Sequence, residues 1–198
     1  MKSAIILAGG EARRAGGMEK YFFSYEGRTF IERLISTLQD LVDEIIIVAR
    51  DEPQCRRFEE IKGVRVVCDI RKGTGPVGGL HAGIKAAEGD VLFAVACDMP
   101  FVNMDVINRL FSLSENYDAA IPYWNDDMLE PLHAVYKKKA LEEYMKSHNS
   151  LSLREMIKSI NSCYVNVEQL RDIDPDLLTF TNINHLHELE ELERRELI

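Results

Sequence analysis

The sequence predicts an α/β fold, with a mostly parallel central sheet that is covered by helices on both faces. Three observations support this prediction. Short, almost wholly apolar runs alternate with amphipathic segments, and strands that are apolar on both sides are typical of buried parallel sheets. A glycine-rich loop follows the first apolar run directly. The chain has 198 residues, of which 46% are hydrophobic and 29% charged, as expected for one globular domain.

The predicted strands are runs in which most side chains are apolar. The first four have the continuous apolar character of strands buried on both faces, and the later three are shorter and more mixed. The runs are Ser3–Ala8, Glu44–Ala49, Val64–Asp69, Val91–Asp98, Pro131–Lys138, Cys163–Glu168 and Leu178–Asn184. Right-handed crossovers between parallel strands place their carboxyl ends at one edge of the sheet, where ligands bind in such folds.

Amphipathic segments between these runs predict the helices. Thr29 and Glu32 form a T-x-x-E capping box at the start of the first, and Ser150 is expected to cap a later one. The segments are Thr29–Val42, Glu52–Ile61, Gly79–Gly89, Met104–Glu115, Ala140–Asn149, Leu151–Ile160 and His185–Leu197. Trp124 and the polar residues after it predict an exposed turn.

Charge and cysteine content restrict the functions that the chain can have. A formal net charge of −9 disfavours non-specific binding to nucleic acid or to an anionic membrane. It allows a small anionic ligand, because salt screens remote charges beyond about 8 Å. No cysteine pair has C-x-x-C spacing, so all four are predicted to be reduced thiols. No apolar run is long enough to span a membrane, and we expect a cytoplasmic protein.

The loop after the first strand, "LAGGEARRAGGMEK", combines glycines with the cations Arg13, Arg14 and Lys20. It lacks the G-x-G-x-x-G of a dinucleotide site and the G-x-x-x-x-G-K-[ST] of a P-loop. Glycines still let a ligand approach the backbone N–H groups, and nearby cations attract phosphate oxygens. The loop therefore predicts a phosphate-binding site of another kind, with a solvated surface loop as the alternative.

Five segments, in this order, give the chain a specific resemblance: "LAGGEARRAGGMEK", "GPVGGLHAGI", "ACDMPFV", "EPLHAVY" and "FTNINHLHEL". They resemble the motifs of the molybdenum cofactor guanylyltransferases, the MobA type of nucleotidyltransferase. The resemblance implies a Rossmann-like three-layer sandwich of the nucleotidyltransferase type. It also implies transfer of GMP from GTP to molybdopterin carrying molybdenum, with release of pyrophosphate and with Mg²⁺ as the metal. Transient contact with other proteins of molybdenum cofactor biosynthesis would follow.

The resemblance also implies roles for individual residues. Asp98 would bind both nucleotide and Mg²⁺, and Lys20 would bind the phosphates. The remaining nucleotide-binding positions are Leu7, Ala8, Gly9, Gly10 and Asp69, and the acceptor-binding positions are Asn182 and Asn184. Val48, and His185 with Leu186, depart from the family pattern. Residues from about 1 to 117 would form the nucleotide-binding half of a single domain, and residues from about 118 to 198 the acceptor half.

The residues themselves favour the same chemistry. Attack of one phosphate on another brings two anions together, so the site must neutralise charge and align the reactants. Asp98 ends an apolar strand, where a carboxylate is costly without a partner, and is the best metal ligand. Lys20 and Arg14 are the expected phosphate-binding cations, and Lys20 and Asp98 are expected at opposite ends of the site. Two alternatives stay open: cytidylyl or other nucleotidyl transfer to a different phosphorylated acceptor, or nucleotide binding without catalysis by a partner in cofactor delivery.

Overall fold

A mixed sheet forms the centre of the fold. The computed structural model describes residues 1–9, 20–69, 75–125, 128–148, 150, 152–195 and 198. The main sheet contains β1 (Lys2–Leu7), β4 (Glu44–Ala49), β5 (Arg65–Cys68), β6 (Val91–Ala96), β7 (Ala119–Asn125), β8 (Met128–Leu129), β9 (His133–Lys137) and β10 (Ser162–Asn166). A separate hairpin is formed by β2 (Ser24–Tyr25) and β3 (Arg28–Thr29).

The strand order is β10-β7-β9-β6-β1-β4-β5, with β8 paired to β7. Neighbouring strands are parallel from β6 through β1 and β4 to β5, and again between β7 and β10. β9 runs antiparallel to both β6 and β7. The start of β9 therefore lies at the same edge as the carboxyl ends of β1, β4, β6, β7 and β10.

Helices cover both faces of the sheet, as the sequence predicts. They are α1 (Phe30–Leu38), α2 (Glu52–Phe58), α3 (Gly75–Ala86), α4 (Met104–Leu113), α5 (Lys138–Ser147), α6 (Leu153–Ser159) and α7 (Leu186–Arg194). The pleat divides the strand side chains between two cores. Ile6 and Ile47 pack with α1, α2 and α4, whereas Ile5 and Ile46 pack with α3, α5 and α6. No helix in the described ranges is both long enough and apolar enough to cross a bilayer.

The helix caps confirm one prediction and correct another. Thr29 caps α1, and Glu32 completes the capping box by accepting from the Thr29 N–H group at 2.7 Å. The cap of α6 is Ser152, which accepts from the Glu155 N–H group at 3.2 Å, and not Ser150. Ser150 instead hydrogen-bonds the Glu155 carboxylate with its hydroxyl. Serine is a favourable N-cap residue at either position, so residue type alone does not show which of the two caps α6.

The predicted strand Leu178–Asn184 is wrong. Leu178–Phe180 form a short 3₁₀ turn, and residues 181–184 belong to no helix or strand. Side chains and the loop after β6 hold this segment instead. The Asp174 carboxylate accepts from the Thr179 N–H group at 2.9 Å, and the Asp98 carbonyl accepts from the Ile183 N–H group at 2.8 Å. The alternating apolar pattern of the segment therefore reflects burial without a strand partner.

The cysteine prediction is wrong for one pair. Cys55 in α2 and Cys68 at the end of β5 are joined by a disulfide, with their Cα atoms 6.3 Å apart. The packing of α2 against β5 brings the two residues together, and a sequence separation of 13 residues does not show this. Cys97 and Cys163 lie outside this disulfide. The cysteines therefore do not support the expected cytoplasmic location.

Candidate active site

The carboxyl end of β1 forms the first wall of the site. Leu7 is the last residue of this strand, and its carbonyl accepts from the Cys97 N–H group at 3.1 Å. Ala8 is buried and donates its N–H group to Val48 at 2.9 Å, while Gly9 is exposed. Three predicted nucleotide-binding residues thus lie at the sheet edge where ligands bind in this class of fold.

Gln54 supports this wall, and sequence reasoning missed it. Its buried side chain donates to the Ala8 carbonyl and to the Tyr21 hydroxyl, both at 3.1 Å, and accepts from the Arg50 N–H group at 2.6 Å. One amide thereby joins the ends of β1 and β4 to the 3₁₀ turn Lys20–Phe22. The sequence contained one sign of this role: Gln54 lies four positions before Phe58, so a polar residue shares the buried face of α2.

Lys20, Asp98 and Asn184 meet at the centre of the edge. The Lys20 ammonium lies 2.9 Å from Asp98 Oδ2 and 2.5 Å from Asn184 Oδ1. Only 23% of the Lys20 side chain and 19% of the Asp98 side chain are exposed. The expectation that Lys20 and Asp98 occupy opposite ends of the site is therefore wrong: the 3₁₀ turn of Lys20, which buried Tyr21 anchors against Phe58 of α2, brings the ammonium group into contact with Asp98.

The two predicted acceptor residues lie on the segment before α7. Asn182 and Asn184 are exposed, and Ile183 between them is buried, so both asparagines point to the same side. Asn184 does not cap α7. The helix begins at Leu186, and the Glu188 carboxylate accepts from the Asn184 N–H group at 2.6 Å. The Asn184 side chain is thus free of the helix and holds Lys20.

A buried histidine fastens this segment to the sheet. His133, at the start of β9, is fully buried between Phe93 and Phe180, and its Nε2 lies 3.2 Å from the Thr179 hydroxyl. Thr179 in turn accepts from the Asn103 N–H group at 2.9 Å. Burial lowers the pKa of His133 to about 3, so the ring is neutral near pH 7. His133 therefore positions the segment that contains Thr179 and Phe180, and it adds no charge to the site.

The remaining predicted residues are less closely connected to this centre. Asp69 follows β5 and is half-buried, with its N–H group donated to the Ala49 carbonyl at 2.7 Å. It lies at the same sheet edge as Asp98, three strands along. Gly10 and Arg14 lie outside the described residues. Their predicted roles stay predictions.

Trp124 and Glu130 form a second polar contact at the same edge, and sequence reasoning did not find it. Trp124 belongs to β7 and is half-buried, so the exposed turn predicted there is wrong for this residue. Its indole N–H group donates to Glu130 Oε1 at 2.8 Å, and its ring packs edge-on against Phe180 at 5.9 Å. Burial raises the pKa of Glu130. The polar residues that follow Trp124 in the sequence obscured this contact.

The Asp98 carboxylate would suit an Mg²⁺ ion whose other ligands are substrate phosphate oxygens and water. Within the described ranges, no group of three or more His, Cys, Asp or Glu residues could enclose a metal. Asp98 nevertheless accepts a cation already, in the form of the Lys20 ammonium. Mg²⁺ is commonly bound through one or two carboxylates together with phosphate oxygens and water, and a single strand-end carboxylate meets that requirement.

Comparison with known proteins is consistent with this geometry. Residues 4–165 match the family model described as the MobA-like NTP transferase domain. The chain is 39% identical over 202 residues to the "Probable molybdenum cofactor guanylyltransferase" of Methanosarcina acetivorans, covering 96% of this chain and 89% of that protein. It is 33% identical to the "Molybdenum cofactor guanylyltransferase" of Desulfosudis oleivorans, covering 96% and 94%. The crystal structure of molybdopterin-guanine dinucleotide biosynthesis protein A from Archaeoglobus fulgidus superposes with a TM-score of 0.79, at 32% identity and 98% coverage of each chain.

Proposed function

The chain belongs to the MobA-like NTP transferase family, and we propose that it is a molybdenum cofactor guanylyltransferase. It transfers GMP from GTP to molybdopterin carrying molybdenum and releases pyrophosphate. The observation that carries this assignment is the meeting of Lys20, Asp98 and Asn184 at the sheet edge, in a chain with full-length similarity to guanylyltransferases. Asn184 comes from the far end of the sequence, so the contact joins the two regions assigned to nucleotide and acceptor.

In the proposed reaction, an acceptor phosphate oxygen attacks the α-phosphorus of GTP. A new oxygen–phosphorus bond forms, the bond from the α-phosphorus to the bridging oxygen breaks, and pyrophosphate leaves with the electron pair. Lys20 balances the negative charge that develops on the phosphates, since a positioned cation in a partly buried site stabilises such charge strongly. Leu7, Ala8 and Gly9 bring backbone groups to the nucleotide, and Asp69 is proposed to help hold it.

We propose that Asp98 is also the protein ligand for Mg²⁺. When bound, the metal neutralises phosphate charge and orients the triphosphate. Asp98 Oδ2 is bonded to Lys20 in this structure, so Lys20 must exchange this carboxylate for phosphate oxygens as the nucleotide binds. Asn184 accepts from the same ammonium group and would guide that exchange. Asn182, which points to the same side, would contact the acceptor.

A thermal-shift panel tests the function, with GTP, CTP, UTP and ATP, each with and without Mg²⁺. A ligand at about 100 times its Kd stabilises the folded state by about 2.7 kcal/mol. We expect the largest shift with GTP and Mg²⁺ together. A larger shift with CTP would favour the cytidylyl alternative. Absence of a shift with every nucleotide would contradict nucleotide transfer altogether, and binding without pyrophosphate release in the presence of molybdopterin would indicate a non-catalytic partner.

A further inference from the structure

Among the residues that the structure describes, the Glu130 carboxylate is hydrogen-bonded through only one of its two oxygens. Oε1 accepts the Trp124 indole N–H group at 2.8 Å. Within the part of the chain that the structure describes, no lysine, arginine or histidine pairs with Glu130, and Oε2 has no protein donor. The Glu130 side chain is half-buried. Because a carboxylate oxygen gains from each donor that it accepts, Oε2 is the atom through which Glu130 can bind a ligand donor.

The carboxylate lies beside the transfer site. Glu130 begins the turn into β9, where its carbonyl accepts from the His133 N–H group at 3.2 Å. Within that turn the Leu132 carbonyl accepts from the Ala96 N–H group at 3.2 Å, two residues before Asp98. Trp124 packs against Phe180, which precedes Asn182 and Asn184 on the same short segment. Glu130 thus stands at the β7 and β9 side of the edge, away from β4 and β5.

We infer that Glu130, held by Trp124, binds the 2-amino-4-oxo pyrimidine edge of the acceptor's pterin ring. That edge presents an amino group and a ring N–H group side by side, and a carboxylate accepts two such parallel donors well. The half-buried indole offers the ring an apolar wall next to the carboxylate. This inference rests on the proposed function, which names molybdopterin as the acceptor.

Guanine carries the same aminopyrimidinone edge, so GTP is a second source of this chemistry. The position of Glu130 in the fold favours the acceptor over GTP as its ligand. The predicted nucleotide wall is at β1 and β4, whereas Glu130 is reached from β7 and β9. If Glu130 served only to hold Trp124, a neutral amide would serve equally well and would avoid the cost of burying a charge. Glu130→Gln therefore separates the binding role from the structural one.

The experiment measures guanylyl transfer by the full chain and by Glu130→Gln, varying molybdopterin at saturating GTP and then GTP at saturating molybdopterin. Gln keeps an acceptor for Trp124 but presents an NH₂ group to the ring donors. We expect the KM for molybdopterin to rise about tenfold or more, with the KM for GTP unchanged. The matched control is Glu115→Gln, an exposed residue after α4 at the opposite edge, which should change neither constant.

A second arm uses competing ligands. 6-Hydroxymethylpterin should inhibit the full chain at least about tenfold better than 6-hydroxymethyllumazine, which has an oxygen in place of the 2-amino group, and Glu130→Gln should lose this preference. An unchanged molybdopterin KM, an effect on the GTP constant alone, or equal inhibition by the two ligands would overturn the inference. Failure of the full chain to release pyrophosphate from GTP with molybdopterin would overturn the proposed function instead, and the two failures are therefore distinguishable.

Discussion

At the scale of single residues, Lys20 links the two regions that are proposed to bind nucleotide and acceptor. Its ammonium contacts Asp98 from the first half of the chain and Asn184 from the second. Opposite charges about 4 Å apart attract by about 4 kcal/mol at an effective dielectric near 20, and this pair is closer, at 2.9 Å. A divalent cation would therefore bind Asp98 more readily once Lys20 has exchanged this carboxylate for phosphate oxygens. Binding of metal and nucleotide should consequently be coupled.

Replacing Lys20 by methionine should separate metal binding from catalysis. Without the ammonium, we expect Asp98 to bind Mn²⁺ about tenfold more tightly in the absence of nucleotide, because a repelling charge has been removed. Guanylyl transfer should fall about 10²- to 10³-fold, since the phosphates lose a positioned cation. Electron paramagnetic resonance of free Mn²⁺ measures the first effect, and pyrophosphate release measures the second.

Lys139→Met is the matched control for this prediction. Lys139 lies on α5 with 85% of its side chain exposed, and its ion pair with Glu143 is 3.9 Å long. The Lys139→Met substitution should leave both Mn²⁺ affinity and turnover unchanged, because an exposed ion pair on a helix contributes little. Equal Mn²⁺ affinity in the full chain and in Lys20→Met would contradict the coupling.

The two asparagines should differ in their kinetic effects. Asn184 holds Lys20, whereas Asn182 points to the same side of the segment without a side-chain hydrogen bond among the described residues. We expect Asn184→Ala to raise the KM values for GTP and molybdopterin together. Asn182→Ala should raise the molybdopterin KM alone. Steady-state kinetics with each substrate varied in turn test this, and the same pattern in both variants would show that Asn184 has no role through Lys20.

At the scale of elements, α3 lies close against the sheet because glycines face it. A Cβ atom on Gly83 would lie 2.5 Å from Ile5 Cγ2 and 3.2 Å from Val48 Cγ2. A Cβ atom on Gly79 would lie 3.3 Å from Leu7 Cδ2, which is the far end of a flexible side chain. This close approach brings α3 against the ends of β1 and β4, where the nucleotide wall begins.

Gly83→Ala should therefore destabilise the fold, even though alanine is the better helix former. The overlap costs about 1–3 kcal/mol, against a gain of about 1 kcal/mol in helix propensity. We expect a net loss of up to about 2 kcal/mol in the free energy of unfolding, measured by urea denaturation. Gly79→Ala is the control and should equal or exceed wild-type stability. The prediction fails if Gly83→Ala is as stable as Gly79→Ala.

Elements were predictable from the sequence where local pattern decides the structure. β1, β4 and β6 are continuous apolar runs, and the Thr29 capping box marks the start of α1. The structure of segment 178–184 was not predictable in this way. Asp174, His133 and the Asp98 carbonyl hold the segment, and most of these groups are remote from it in sequence. The site follows the same rule. Motifs led to Lys20 and Asp98 as candidates, whereas the contacts of Gln54 and Glu130 depend on which chain segments meet.

At the scale of the whole molecule, the two regions of the chain are interleaved. β9 lies between β6 and β7 and pairs with β6 from Val91↔Lys137 to Val95↔His133. A strand from the second region therefore completes the sheet beside the strand that leads to Asp98. Lys20 and Asp98 come from the first region and Asn184 from the second. Nucleotide and acceptor regions should accordingly depend on each other for folding as well as for catalysis.

Expression of residues 1–117 and 118–198 as separate chains tests this dependence. Alone, residues 1–117 would leave the apolar edge of β6 unpaired, and exposed edges of this kind promote aggregation. We expect neither piece alone to unfold cooperatively or to release pyrophosphate. Co-expression should restore both properties, because β9 can pair with β6 without a covalent link and Asn184 can again reach Lys20. The intact chain, purified alongside, is the control for both measurements. Cooperative unfolding and GTP binding by residues 1–117 alone would show instead that the first region is an independent nucleotide-binding domain.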